Sequence, residues 1–193
     1  MPMTRYINET EFITKIGLLY CLWEESADGI TVFFLGRGKN ASCEVIKKVK
    51  NNCKFLDRIS VTGRKSKDIE NKINGYLDGR IKNLDFKIGF LTGTPFQKKI
   101  WNTAVSIPYG KTISYKELAG LAGYRKAWRA AGSALKENPI ILIVPCHRVI
   151  KSNGDFGRFG GGEKLRVKEF LIGLEKKSKI KEPPCDYSRN DVR

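Results

Sequence analysis

The first 90 residues contain apolar stretches with the spacing of β-strands. Residues 12–23 (FITKIGLLYCLW) and 30–35 (ITVFFL) are partly alternating and rich in β-branched and aromatic residues, so each predicts a strand. Asp28 and Gly29 lie between them and favour a hairpin turn. Residues 83–91 predict one further strand. Together these segments predict a small, mostly antiparallel sheet.

Helical spacing interrupts these strands at two places. Residues 41–51 and 68–78 repeat apolar positions every three to four residues, the second through Ile69 and Ile73. A mixture of strands and helices over residues 1–90 predicts a small N-terminal α/β domain.

Two helix starts follow this domain. Thr94 and Gln97 fit a capping box, with Pro95 at the first helical position. Ser114 and Glu117 fit a second capping box, which predicts a short helix. The apolar positions after each start recur at helical spacing, so this half of the chain is expected to be mainly helical.

The second of these helices and the next one predict a helix-turn-helix. Gly123 ends the second helix, and a third helix is expected from about Arg125 to Glu137, before Pro139. Two short helices joined by a glycine-containing turn are typical of that motif.

The remaining elements complete the predicted C-terminal domain, residues 93–175. Residues 140–144 (IILIV) predict a short buried strand, and residues 163–175 predict a last helix. Residues 176–193 are rich in lysine and form a basic tail. The fold class expected is therefore α/β, with a sheet-containing first domain and a mainly helical second domain.

Charge is unevenly distributed along the 193 residues. The chain has 36 basic and 20 acidic residues, a net charge of +16. Residues 1–90 carry 16 basic and 11 acidic side chains, whereas residues 91–193 carry 20 and 9. Such an excess favours a polyanionic partner, nucleic acid above all. No apolar run approaches the ~20 residues that span a bilayer, and the N-terminus lacks a signal peptide, so membrane and secreted proteins are not expected.

One cysteine stands apart from the other four. Cys146 follows Pro145, after the apolar run, and precedes His147, the only histidine of the chain. A thiolate is the reactive form of cysteine, and a nearby base raises its fraction. A buried inert cysteine and a structural histidine remain the alternatives at this point. With no C-x-x-C pair and one histidine, no metal site is expected.

The third helix combines small residues with a single arginine. Ala127, Ala130 and Gly132 leave a shallow surface from which Arg129 projects. A shallow helix can approach a groove closely, although ordinary helix packing explains alanines equally well. Trp128 is expected to lie in the core.

Several motifs in a consistent order resemble the O6-alkylguanine-DNA alkyltransferases, also called methylated-DNA–protein-cysteine methyltransferases. The resemblance covers about residues 93–175. Its motifs are TPFQKKIW at 94–101, IPYGKTISY at 107–115, RAAGSALKENP at 129–139 and PCHRVI at 145–150.

The resemblance implies a reaction mechanism. Cys146 would accept the alkyl group from guanine O6, and His147 would act as a base through water, oriented by Glu175. Asn138 would brace the turn before the active-site segment. Tyr115 would donate a proton or hydrogen bond to the flipped base. The product, a thioether, would leave the protein alkylated after one reaction, with no cofactor.

The resemblance also implies how the substrate is held. Val149, Phe159 and Gly160 would line the base pocket. The partner would be double-stranded DNA carrying O6-alkylguanine, with O4-alkylthymine as a second candidate substrate that the resemblance leaves open. The protein would bind through the minor groove as a monomer, in the cytoplasm or, in a eukaryote, in the nucleus. The residues expected to contact DNA are Arg129, Tyr115, Lys116, Tyr124, Ala127, Ala130, Gly132 and Ser152.

Three other functions are compatible with parts of the sequence. A non-catalytic sensor of alkylation damage would bind the lesion, but relatives of that kind lack the cysteine. A helix-turn-helix transcription regulator would prefer one undamaged sequence. A papain-like hydrolase places its cysteine and histidine far apart in the chain, whereas here they are adjacent.

Overall fold

The computed structural model describes residues 5–52, 59–156 and 162–177. A five-stranded sheet occupies the first half of the chain, in the order β4-β1-β2-β3-β5. The three long central strands are antiparallel, and the two short outer strands each add in parallel. The strands are β1 (Arg5–Thr14), β2 (Gly17–Ser26), β3 (Gly29–Arg37), β4 (Ile59–Thr62) and β5 (Lys87–Ile88).

Two strand predictions were wrong in extent. The apolar run 12–23 is divided between β1 and β2 by a turn, in which the Thr14 hydroxyl donates to Gly17 O (2.7 Å) and accepts from the Ile16 N–H (3.2 Å). The run conceals the turn because the side chain of Ile16 is buried. Of residues 83–91, only Lys87–Ile88 pair with the sheet.

Six helices and a small two-stranded sheet complete the described residues. The parallel pair β6 (Ile113–Ser114) and β7 (Val149–Ile150) forms the second sheet. Both predicted capping boxes are confirmed, since in each the cap side chain and the third residue's side chain satisfy reciprocal backbone N–H groups. The helices are α1 (Lys39–Asn52), α2 (Lys67–Leu77), α3 (Pro95–Val105), α4 (Tyr115–Leu121), α5 (Trp128–Lys136) and α6 (Gly162–Glu175).

The third predicted helix begins three residues later than expected. Gly123, with φ of +88°, ends α4 in the left-handed region that glycine adopts without cost. The chain then turns through hydrogen bonds from Tyr124 N to Ala119 O (2.7 Å) and from Ala127 N to Tyr124 O (2.8 Å). The turn therefore takes up residues that were assigned to α5.

Residues 140–144 are buried, apart from the half-buried Ile141, but they are not a strand. Ile140 makes a single bridge to Leu35 of β3, and the chain then reverses, with Leu142 at φ +69° and Val144 N donating to Ile140 O (2.9 Å). Burial of the apolar side chains explains the composition of this segment. A tight turn explains why they do not continue the sheet.

The apolar side chains of both halves form one continuous core. Trp23 and Leu35 of the sheet belong to the same buried cluster as Trp101 of α3, Leu118 of α4 and Leu171 of α6. A smaller cluster lies between the sheet and α1. The mixed α/β class with a mostly antiparallel sheet is confirmed. Among the described helices, none has the length and apolarity that crossing a membrane requires.

Candidate active site

Cys146 lies on a tight bend rather than on a strand. Residues Cys146–Arg148 form one turn of 3-10 helix, and Cys146 is 3% exposed. Asn138, which follows α5, holds the approach to this turn: its Nδ2 donates to Val144 O (3.0 Å) and its Oδ1 accepts from the Ile140 N–H (3.0 Å). The bend breaks the alternation of a strand, so the neighbouring cysteine and histidine are not forced onto opposite faces.

The thiol of Cys146 is protonated at rest. Burial raises its pKa, and a hydrogen bond from the Asn138 side chain and the charge of Lys168 oppose this only in part. A thiol of this kind needs a base to become nucleophilic at neutral pH.

His147 is a neutral imidazole paired with a carboxylate. Its Nε2 lies 2.6 Å from Oε1 of Glu175, and both side chains are buried. Burial lowers the pKa of His147, although the Glu175 hydrogen bond opposes this shift. Because an ionised carboxylate can only accept, Nε2 carries the proton and Nδ1 is the basic nitrogen. The residue beside Cys146 is therefore in the tautomer that can accept a proton at Nδ1.

The Glu175 carboxylate is held by donors from several segments. Arg148 Nε lies 2.9 Å from Oε2 and Nη2 lies 3.1 Å from Oε1, while the backbone N–H of Gly110 donates to Oε2 (2.8 Å). The hydroxyl of Tyr76 in α2 donates to Oε1. Burial raises the pKa of Glu175, but the hydrogen bonds of His147, Arg148 and Tyr76 outweigh it and bring the pKa to about 2. The group is a permanent anion at neutral pH.

Lys168 of α6 is a second buried charge near Cys146. Its Nζ donates to Val149 O (2.5 Å) and lies 5.7 Å from the centroid of the Tyr115 ring. Burial lowers its pKa to about 8, against the opposing effect of Cys146. The Tyr115 ring at the start of α4 is half-buried; burial raises its pKa, and the thiolate form of Cys146 raises it further. Cys146, Tyr115 and Lys168 are thus electrostatically coupled.

Of the eight residues expected to touch DNA, seven lie on α4, α5 and the turn between them, and Ser152 lies in an exposed turn after β7. Arg129, Ala130, Tyr124 and Lys116 are exposed, and the remaining side chains are half-buried. Tyr124 also packs edge-on against Phe96 of α3.

The prediction that Trp128 belongs to the core was wrong. Its side chain is 45% exposed at the start of α5, and the Arg129 guanidinium lies 4.7 Å from the centroid of its ring. Ala131 and Leu135 of the same helix are buried instead. The indole is exposed because α5 begins at Trp128, so no earlier turn of the helix lies beside this side chain.

Some expected positions are placed and others are not described. Val149 is buried in β7, adjacent to the 3-10 turn, and its carbonyl is used by Lys168. Phe159, Gly160 and the tail from residue 178 lie outside the described residues. Within the described ranges, no group of three or more histidine, cysteine, aspartate or glutamate side chains could hold a metal ion.

Three residues of this cluster were not predicted from the sequence. Arg148 is part of PCHRVI, yet nothing local indicates that an arginine is buried. Lys168 shares a helix face with Glu175, seven residues away, and a lysine among apolar positions of one face was a usable signal. Tyr76 had none, because its partners are 71 and 99 residues away in the chain.

Acid should destabilise the fold through Glu175 and His147. Glu175 has a folded pKa of about 2 against an ordinary 4.5, so between these values only the unfolded chain binds its proton. The free energy of unfolding should fall across pH 4.5 to 2, by about 3 kcal/mol from this group. The pKa of His147 is also lowered from 6.5, so its contribution is lost as pH falls below 6.5.

Urea denaturation over a pH series measures this effect, with Glu175→Gln as the reference. Between pH 4.5 and 2, the free energy of unfolding of this variant should fall less steeply than that of the original protein, because the variant lacks the titration of Glu175. An identical slope in both proteins would show that Glu175 is not the group responsible.

Comparison with known proteins defines the class to which this fold and site belong. Residues 95–177 match the family model of the 6-O-methylguanine DNA methyltransferase, DNA binding domain. The matched segment contains Cys146, His147 and Glu175 and the helices α3–α6. The family that this model describes is one of DNA-binding methyltransferases.

The particular family follows from relatives that align over more of the chain. A protein of Acanthamoeba polyphaga mimivirus named "Probable methylated-DNA--protein-cysteine methyltransferase" is 39% identical over 169 residues, 86% of this chain and 94% of its own. The methylated-DNA–protein-cysteine methyltransferase of Methanosarcina barkeri is 43% identical over 104 residues, covering 54% of this chain and 64% of the relative. The chain belongs to the methylated-DNA–protein-cysteine methyltransferase family, as the sequence motifs predicted.

A solved structure supports the same relationship. The Mycobacterium tuberculosis OGT, crystallised in complex with DNA, superposes with a TM-score of 0.70 at 28% identity, covering 88% of this chain and 93% of its own. The fold is therefore shared beyond the matched second half.

Proposed function

We propose that this protein repairs DNA by transferring the alkyl group of O6-alkylguanine in duplex DNA, and that of O4-alkylthymine, to the sulfur of Cys146. The observation that carries the proposal is the pair next to this cysteine: His147 is a buried neutral base whose Nε2 is already committed to Glu175. A polarised imidazole beside a buried thiol can act as the general base that activates a cysteine nucleophile.

The transfer balances without a cofactor. The bond between the alkyl carbon and O6 breaks, and a bond between that carbon and Sγ of Cys146 forms. The thiol proton passes through a water to Nδ1 of His147, and the departing guanine anion takes a proton from Tyr115. His147 and Tyr115 return to their resting states by exchange with solvent. A thioether has no easy leaving path, so each molecule reacts once.

The target base must leave the duplex to reach a buried sulfur. We assign this step to α4, the 122–127 turn and α5, acting as a helix-turn-helix in the minor groove. Arg129 would fill the space that the flipped guanine vacates, and the shallow surface of Ala127, Ala130 and Gly132 permits the close approach. The net charge of +16 supports phosphate binding that weakens as salt rises.

The proposal includes a division of the chain. Residues 1–90 form an α/β domain, residues 93–175 carry alkyl transfer and DNA binding, and residues 176–193 form a basic tail. Val149, Phe159 and Gly160 would enclose the flipped base, and the working form is a monomer.

Mass spectrometry after incubation with a duplex that contains O6-methylguanine tests the reaction. One methyl per chain is expected, located on the Cys146 peptide and not increasing with excess substrate. Tight binding to the lesion duplex with no added mass would contradict transfer and favour a damage sensor.

Trp128 provides a test of the DNA surface. The chain has three tryptophans, and Trp23 and Trp101 are each 1% exposed, so exposed indole emission comes from Trp128. Binding of duplex DNA should quench and blue-shift this emission, because the indole leaves water and approaches the bases. Added salt should reverse the change.

Trp128→Phe is the matched control for this measurement. It keeps an aromatic ring beside Arg129 but removes the exposed fluorophore, so its emission should not respond to DNA. Unchanged emission of the original protein at saturating DNA would show that DNA binds on another surface.

A further inference from the structure

We propose that Tyr76, in the sheet-containing half of the chain, is a positioning residue for alkyl transfer: its hydroxyl holds the Glu175 carboxylate and, through it, the imidazole of His147. The inference rests on the proposed function, because it assigns a role to the first half of the chain in that reaction. Tyr76 would not touch the substrate.

The hydroxyl of Tyr76 is at the centre of the cluster. The residue is 1% exposed on α2, and its hydroxyl donates to Oε1 of Glu175, the same oxygen that His147 Nε2 contacts. The hydroxyl oxygen is also 3.3 Å from that Nε2 and 3.5 Å from Nη2 of Arg148. The hydroxyl oxygen of Tyr76 therefore lies within 3.5 Å of polar atoms of Glu175, His147 and Arg148.

Tyr76 differs from the other donors to Glu175 in its origin. His147, Arg148 and Gly110 all belong to residues 95–177, which match the DNA-binding family model. By contrast, Tyr76 belongs to the first 90 residues. Among the described residues of that part of the chain, it alone donates to this carboxylate. The continuous core fixes α2 against this site, since Tyr76 and Leu171 belong to one cluster.

The position of Glu175 explains why an additional donor matters. It is the last residue of α6, where the carbonyl end of the helix dipole disfavours a negative charge. The planar fork of Arg148 spans both carboxylate oxygens, with Nε on Oε2 and Nη2 on Oε1, so it does not favour the oxygen that faces His147. The Tyr76 hydroxyl fixes Oε1 from another side and keeps it directed at Nε2. Burial and the neighbouring Glu175 raise the pKa of Tyr76, so the hydroxyl remains a donor.

The groups around His147 that could also affect its protonation come from every neighbouring element. The 3-10 turn supplies Cys146 and Arg148, α6 supplies Lys168 and Glu175, α2 supplies Tyr76, and the segment after α3 supplies Tyr109. Among the groups that hydrogen-bond to Glu175, only Tyr76 can be changed by removing one oxygen atom without removing a charge, so Tyr76→Phe isolates the hydrogen bond.

The single histidine of the chain makes the test direct. In protein labelled with 15N-histidine, His147 should give one neutral tautomer with the proton on Nε2. In Tyr76→Phe the two ring nitrogen shifts should move toward each other, because the imidazole exchanges between tautomers. Methyl transfer from an O6-methylguanine duplex should slow roughly 10-fold, part of the 10²–10⁴ that a positioned base provides, and its pH profile should shift.

Tyr109→Phe is the matched control. The Tyr109 ring packs edge-on against Tyr76 with centroids 5.9 Å apart, and its hydroxyl makes no hydrogen bond to the described part of the chain. This variant should keep the histidine shifts and the transfer rate of the original protein. Equal slowing in both variants, or unchanged histidine shifts in Tyr76→Phe, would overturn the proposal.

The histidine spectrum needs no DNA, so the two hypotheses fail separately. If the original protein accepts no methyl group, the proposed function fails, yet the spectrum still reports whether Tyr76 orients His147. If Tyr76→Phe does not fold, the original protein alone decides: equal populations of the two His147 tautomers would show that nothing fixes the ring.

Discussion

Replacing Cys146 by alanine is expected to abolish methyl uptake while leaving binding to the lesion duplex intact. The sulfur is the atom to which the new bond forms, and nothing else in the cluster can accept an alkyl group in the same place. Losing a nucleophile typically costs on the order of 10⁶ in rate. Intact-protein mass spectrometry should therefore show the unmodified mass after times at which the original protein has fully reacted.

Cys43→Ala is the matched control for the loss of a thiol. Cys43 is partly exposed on α1, whose Val45 and Ile46 pack against the smaller apolar cluster and not the one that contains Cys146, so this variant should still take up one methyl per chain. Methyl uptake by Cys146→Ala at the original rate would contradict the proposed reaction. Loss of lesion binding in Cys146→Ala would instead show that the thiol contributes to recognition.

Replacing Arg148 by methionine should cause the largest loss of stability. The side chain is buried, contacts both oxygens of Glu175 and donates from Nη1 to Ile107 O (2.6 Å). Removing it leaves a buried carboxylate without its cation, which typically costs about 3–5 kcal/mol. Urea denaturation at neutral pH should show this as a lower midpoint at similar slope.

Two further variants separate the buried charge from a general effect of losing arginine. Arg80→Met removes an exposed partner of Asp78 and should cost at most about 1 kcal/mol. Adding Glu175→Gln to Arg148→Met should restore part of the lost stability, because the unpaired charge is gone. If the double variant is less stable than Arg148→Met alone, the explanation by an unpaired carboxylate is wrong.

The sequence was most informative where structure depends on neighbouring residues. The capping boxes at Thr94 and Ser114 were readable because a cap needs only four consecutive residues. The motif PCHRVI indicated a nucleophile for the same reason, since Cys146 and His147 are adjacent. The family could be recognised because several such local motifs occur in a fixed order.

Errors arose where burial and chain direction had to be distinguished. The segments 12–23 and 140–144 are apolar because most of their side chains are buried, yet each contains a turn. Apolar composition reports that a side chain leaves water, and it does not report how the backbone satisfies its hydrogen bonds on the way. Trp128 was misplaced for the converse reason: a large aromatic residue is usually buried, and only the position of the helix start exposes it.

The sequence by itself determined the helices with local start signals and the basic character of the second half, and it predicted Cys146 as the nucleophile with His147 as its neighbouring base. The tertiary structure alone decided which groups surround that base. Tyr76 and Lys168 reach the site from α2 and α6, over separations of 99 and 19 residues in their contacts, whereas Glu175 was already expected from the family resemblance. No short-range sequence pattern predicts these long-range contacts, because they depend on how the helices pack on the shared core.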